Sequence, residues 1–232
     1  MERQLKKSGD NVRIQKKVFA VFPAATLAWA FAAASDARAP ADSGGRSKTV
    51  FVAHLHPLNS TVTGLQTSGE ARFTVIGDKL TIRITARGLP PNLVHWQHFH
   101  GFADNRAASC PGAAADVNQD GIVDLIETEP AAGTTMVPFS EDPVAMDVAH
   151  GAYPKASVGG TYTYQETVSL SELTAAFAKA FNDPMLDLDR RVVFIHGVLA
   201  SSHLPASVAS LGPIPANVTL PIACGRIERA SS

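Results

Sequence analysis

The stretch that most constrains the fold is Glu70–Arg87, where apolar and polar residues alternate on both sides of Gly77-Asp78. Phe73 and Val75 alternate with Arg72 and Thr74, and Leu80, Ile82, Ile84 and Ala86 alternate with Thr81, Arg83, Thr85 and Arg87. A period of two sends the two sets to opposite faces of a strand. A Gly-Asp pair between two such runs predicts a tight hairpin. One apolar and one polar face mean antiparallel strands with a core on one side and water on the other. Similar strands are expected at Thr49–Leu55, Leu93–His100, Thr161–Val168, Arg191–His196 and Ile222–Ile227. Ser169-Leu170-Ser171-Glu172 is a capping box that opens a helix to about Phe181, with Leu173, Phe177 and Phe181 as its core-facing stripe. Residues 101–160 and 203–220 read mostly as loop, the first because of prolines at 111, 130, 138, 143 and 154. The fold class expected is all-β: an antiparallel Greek-key β-sandwich of about seven or eight strands, with long loops and one short helix near 171–181.

The chain begins with six basic residues (Arg3, Lys6, Lys7, Arg13, Lys16, Lys17) ahead of an apolar run from Val18 to Ala34. Small residues suited to cleavage precede the ends at Ala34 and Ala39. This predicts a secretory signal peptide over 1–34, cut after Ala34 or Ala39, then a flexible lead-in over 35–48 and one domain over 49–228. Cutting after Ala34 leaves 14 basic against 19 acidic residues, a mildly acidic chain without a basic stripe. Nucleic acid is thereby disfavoured as a partner. No second apolar run resembles a membrane span, so the mature chain is expected to be free of the membrane, secreted or periplasmic. Two cysteines in an exported chain suggest one disulfide, Cys110 to Cys224.

Chemistry concentrates between Leu93 and Glu127. His98 and His100 sit at i and i+2, on one strand face roughly 7 Å apart, close enough to share a metal ion. Asp116, Asn118, Asp120, Asp124 and Glu127 occupy positions 1, 3, 5, 9 and 12 of a calcium loop over 116–127. Gly121 supplies the sharp turn at position 6 and Ile122 a carbonyl at position 7. Cys110-Pro111-Gly112 ahead of the loop leaves no room for an entering helix, and the exit helix is expected to be short before Pro130. A single clamp is expected, not a paired sensor. Of the other histidines, His54 and His56 form a second His-x-His, and His95 lies on the face opposite His98. All three read as surface or hydrogen-bonding residues.

His98-Phe-His100-Gly-Phe102-Ala-Asp104-Asn105, followed by Cys110, resembles the copper strand of the Cu/Zn superoxide dismutases. Ala223-Cys224-Gly225-Arg226-Ile227 resembles that family's last strand, and Arg191–His196 its strand bearing a further copper histidine. Gly69-Glu70-Ala71, Gly77-Asp78-Lys79-Leu80, Gly88-Leu89 and His98-Phe-His100-Gly101 also resemble the related CHRD domain. Together these cover about residues 49–227. The resemblance implies His98, His100 and His196 as copper ligands; His203, seven residues further on in a Ser-rich loop, is a candidate fourth because that ligand is otherwise missing. The resemblance also implies one-electron chemistry on superoxide.

The chain departs from that pattern in two places. Residues 111–149 contain no histidine, so the family's bridging ligand and zinc site are missing. Pro221 stands where the family carries the arginine that attracts and orients superoxide. The expectation is therefore an exported domain that takes calcium, and copper through three histidines, but no zinc. Dismutase activity is expected to be weak or absent, so the reading leans away from an enzyme. The alternative is a non-enzymatic CHRD-type domain whose only ion is structural calcium. Metal ions are the only partners the residues point to; no protein partner can be named.

Overall fold

The computed structural model of the protein describes residues 47–183 and 185–231. The expected leader, both cleavage points and nearly all of the lead-in lie outside those residues. In chain order the elements are β1 (Lys48–Pro57), α1 (Ser60–Thr63), β2 (Ser68–Ile76), β3 (Lys79–Arg87), β4 (Gln97–Gly101), α2 (Leu125–Ala132), β5 (Thr134–Pro138), β6 (Thr161–Ser169), α3 (Leu170–Phe181), β7 (Val192–His196), α4 (Ala216–Thr219) and β8 (Pro221–Arg229).

The hairpin that organised the sequence reading forms as expected. Ile76 pairs with Lys79 around a two-residue turn, and Gly77 takes φ +58°. A glycine at the first central position is what such a turn demands. Every strand pair is antiparallel, in the order β5-β4-β7-β8-β1-β2-β3-β6. The continuous sheet folds over on itself as a sandwich. Phe73, Ile82 and Ile84 from one half meet Phe99, Val137, Val193 and Ile195 from the other in a single buried cluster. Tyr162 donates to Gln97 Oε1 and Tyr164 to the Ser140 carbonyl, both at 2.8 Å, which joins β6 to the β4–β5 side. Helix α3 begins where expected: Ser169 Oγ accepts from the Glu172 N–H. The turn residue Asp78 accepts from the Ser171 N–H at 2.9 Å, so the hairpin also caps this helix.

Three expectations need adjustment. The long segment after Gly101 is mostly loop as expected, but it also holds α2 and a strand, β5, that pairs with β4. Helix α2 does not stop before Pro130 but runs to Ala132. A proline there removes one ladder bond, yet the Gly133 N–H still reaches the Glu129 carbonyl at 2.8 Å and closes the last turn. The fourth strand starts at Gln97 instead of Leu93, because the segment after Pro90-Pro91 keeps only an isolated bridge from Val94 to Lys155. Among the described residues there are thus α2, α3 and two four-residue helices, not one helix. The Cys110–Cys224 disulfide is formed, with Cα atoms 5.8 Å apart, and ties the long loop to β8.

Candidate metal centre

Phe99 points into the core, so His98 and His100 face the other side of β4. His98 lies opposite Phe194 of β7, and His196 is two residues further along the same strand. Alternation places His196 on the face of Phe194, diagonal to His98. Ring centroids are 4.5 Å apart for His98 and His196, 4.8 Å for His98 and His100, and 6.2 Å for His100 and His196. One nitrogen from each ring lies within 4.8 Å of the others, and all three residues are buried. Register irregularities fall at Phe99/His100 and at Ile195/His196. Bulges of this kind re-aim side chains.

Two of the rings are oriented by backbone carbonyls. His196 Nδ1 lies 2.7 Å from the Thr219 carbonyl, and His100 Nδ1 lies 3.0 Å from that of Gly133. A carbonyl can only accept, so both Nδ1 atoms carry the proton and both Nε2 atoms present lone pairs. The Gly133 carbonyl gets this close because the residue has φ +75° and no side chain; a Cβ there would strike the Gly101 carbonyl. The His100 Nε2 is met only by the Thr135 hydroxyl at 3.1 Å, a rotor that can turn away. His196 Nε2 and His98 Nδ1 are buried without any hydrogen-bond partner. Unpaired buried polar atoms cost about 1–3 kcal/mol each. Two such atoms in a cluster of three imidazoles are what a bound cation would satisfy.

Electrostatics keep the cluster ready to accept a cation. Burial lowers the His100 pKa to about 3 and the His196 pKa to about 4. Burial first, then the neighbouring His196 and His100, hold His98 well below the ordinary imidazole range. Neutral rings with free lone pairs result. Above the cluster opens a cavity of about 230 Å³, walled by Trp96, Leu125, Val148 and Leu211, with Glu129 as its only carboxylate.

The acidic loop wraps around its own amides. Asp116 accepts from the N–H groups of Asp120 and Gly121 at 3.1 and 2.9 Å, and Asn118 from Asp120 at 2.9 Å. Gly121 takes φ +85°. Asp124 caps α2 by accepting from Ile126 and Glu127, and Glu127 returns a bond to the Asp124 N–H. The other Glu127 oxygen accepts from Val117 at 2.9 Å. Ser207 Oγ donates to Asp120 Oδ2 at 2.5 Å, the main cause of that carboxyl's lowered pKa. The Ala209 N–H donates to Asp124 Oδ2 at 2.7 Å. Among the described residues, only the histidine cluster brings three such ligand atoms within 4.8 Å of one another.

The remaining histidines stay apart from the cluster. His203 is exposed and does not line the cavity. His54 and His56 are exposed on β1. His95 is fully buried, with Nδ1 2.9 Å from the His196 carbonyl, a hydrogen-bonding histidine behind the third candidate ligand. Sequence reasoning missed Gly133, Thr135 and Thr219, whose contributions are mainly backbone carbonyls. It also missed Asn59, which holds Val123 through both N–H and carbonyl and reaches the Pro221 carbonyl at 2.9 Å.

No protein-family model matches the chain, and no curated protein matches it. Among solved structures the chain is similar to a Cu/Zn superoxide dismutase from Brucella abortus, at 20% identity and a TM-score of 0.41, over 78% of this chain and 100% of that one. That likeness is too loose to carry residue roles from one chain to the other.

Proposed function

We propose that the chain is an exported metal-binding domain of superoxide dismutase-like type. It holds copper through His98, His100 and His196 and calcium through the loop 116–127, and dismutation is slow or absent. One observation carries the copper reading: His98 Nδ1 and His196 Nε2 are buried and unpaired, on rings whose centroids lie 4.5 Å apart. Three neutral imidazoles suit copper or zinc, and copper, when bound, supplies one-electron chemistry. The protein's own part is to hold the rings. The Gly133 and Thr219 carbonyls fix two tautomers, as outer partners of ligating histidines do, and burial excludes water from all but one side.

The slow-dismutase part rests on the missing cation. Pro221 pairs with His196 at the start of β8, where the resemblance would place a guiding arginine. No lysine or arginine lines the cavity. Calcium is supported by ligand spacing and by Gly121 at the sharp turn, since four carboxylates on one loop repel one another without a cation. Export rests on the leader sequence, and a disulfide suits an oxidising compartment. No helix among the described residues is long and apolar enough to cross a membrane. A CHRD-type domain with calcium as its only ion would leave the two histidine nitrogens unpaired.

Mass spectrometry of the purified mature protein for Cu, Zn and Ca is the first test, followed by copper titration of wild type and His100→Ala. Expected are one copper per chain in wild type and at least tenfold weaker binding in the variant. Equal binding in the two removes the copper reading. Turnover of superoxide near the diffusion limit would remove the claim of slow dismutation.

A further inference from the structure

We propose that the cavity over the three histidines selects small neutral ring molecules over anions, with Glu129 and Trp96 as the residues that set this preference. The proposal rests on the copper reading above and names the ligand class of that same site. Size is the first observation. The cavity of about 230 Å³ exceeds the roughly 150 Å³ of an apolar cavity that takes up one benzene. That is far more than a diatomic needs and about right for one five- or six-membered ring.

Polarity is the second observation. Trp96, Leu125, Val148 and Leu211 give the cavity apolar walls, and Thr134, Thr135 and Thr219 contribute a few hydroxyl and carbonyl groups. Such a mixture holds a flat apolar body with one polar atom. Trp96 is pre-set for stacking: its ring lies on Tyr153 at 5.6 Å and 26°. The Tyr153 hydroxyl is itself anchored on the Val148 carbonyl at 2.8 Å.

Charge is the third observation. Glu129 is the only charged side chain on the lining. It sits one helical turn after Leu125 on α2, so both project to the same side. With copper bound, the metal is the only cation an incoming anion meets in the cavity, and the Glu129 carboxylate opposes part of that attraction, whereas a neutral ring is indifferent to both charges.

The test uses full-length mature protein loaded with one equivalent of copper and titrated with two probes, azide and imidazole, at low ionic strength. Binding is read from the Cu(II) electron paramagnetic resonance and visible spectra. Wild type is expected to bind imidazole more tightly than azide. Glu129→Gln should strengthen azide about threefold and Glu129→Lys up to about tenfold, with imidazole unchanged or slightly weakened. Trp96→Leu should weaken imidazole several-fold and leave azide unmoved. Azide binding as tightly as imidazole in wild type, or azide affinity indifferent to Glu129→Lys, overturns the proposal while the copper signal stands. Absence of a bound Cu(II) signal before any probe is added shows instead that the copper reading failed, and the proposal falls with it.

Discussion

The histidine cluster should make the metal-free protein lose stability from about pH 6.5 downward, before the carboxylates begin to titrate. In the unfolded chain each imidazole takes up a proton as pH falls through about 6.5. In the folded protein His196 resists until about 4 and His100 until about 3, both because of burial. Between those limits the unfolded state binds more protons, so stability is fully present above pH 6.5 and is lost as pH falls toward 4 and 3. At pH 5 each of these two histidines is 1.5 pH units below its unfolded value, a loss of about 2 kcal/mol apiece at 1.36 kcal/mol per unit. The pair therefore costs about 4 kcal/mol, and the buried His98 and His95, also lowered by burial, add in the same direction. For a domain of this size that is a fall in Tm of roughly 8–16 °C between pH 7 and pH 5. The assay is differential scanning calorimetry of chelator-treated protein across that window. A Tm that moves by less than about 2 °C would refute the reasoning, because it would mean that the rings are solvated or already protonated in the folded state.

Other perturbations have defined outcomes. EGTA should lower Tm and open residues 110–130 to protease, and unchanged melting and cleavage would remove the calcium reading. Gly133→Ala should cost roughly 2–4 kcal/mol in urea unfolding, since φ +75° with ψ −160° is a conformation for glycine and the new Cβ meets the Gly101 carbonyl. The same variant should weaken copper about 10- to 100-fold by releasing His100 Nδ1; an unchanged titration would show that the carbonyl does not orient the ring. Arg191 is fully buried, donates to the carbonyls of Leu186 and Phe102 and to Asn105, and lies 3.6 Å from Asp183. Arg191→Met should cost about 3–5 kcal/mol by stranding Asp183 and those acceptors, and a loss below 1 kcal/mol would contradict that account.

What could be read from the sequence was whatever a local period encodes. The alternation in β2 and β3, the capping of α3 and the shared face of His98 and His100 are consequences of spacing along one segment. His196 belongs to a different strand, and no local period brings it to His98; only resemblance to a known pattern linked the two. The ring-orienting partners were invisible for another reason. Gly133 and Thr219 act through carbonyls, which every residue carries. Strand β5 escaped notice because Thr134–Pro138 is only five residues, ends in a proline and sits in a segment otherwise full of turn signals. Asn59 gave no signal because its side chain works only once Val123 and Pro221 arrive beside it.

Helix α2 explains why an acidic loop and a histidine cluster occur in one stretch of chain. Its N-terminus is fixed by Asp124 and Glu127, both of the acidic loop. One turn of its face, Leu125 and Glu129, walls the cavity, and the residue that ends it supplies the carbonyl for His100. The facing wall is fastened to the same loop, because Ser207 and Ala209 donate to Asp120 and Asp124, just ahead of Leu211 in the cavity lining. A helix of eight residues is too short to hold its shape alone. Its order must come from the contacts at its ends, so whatever steadies the carboxylates of residues 116–127 also steadies both walls of the cavity and the orientation of His100. Asn59, bonded to Val123 at one end and to Pro221 beside His196 at the other, ties that loop to the strand side of the cluster as well.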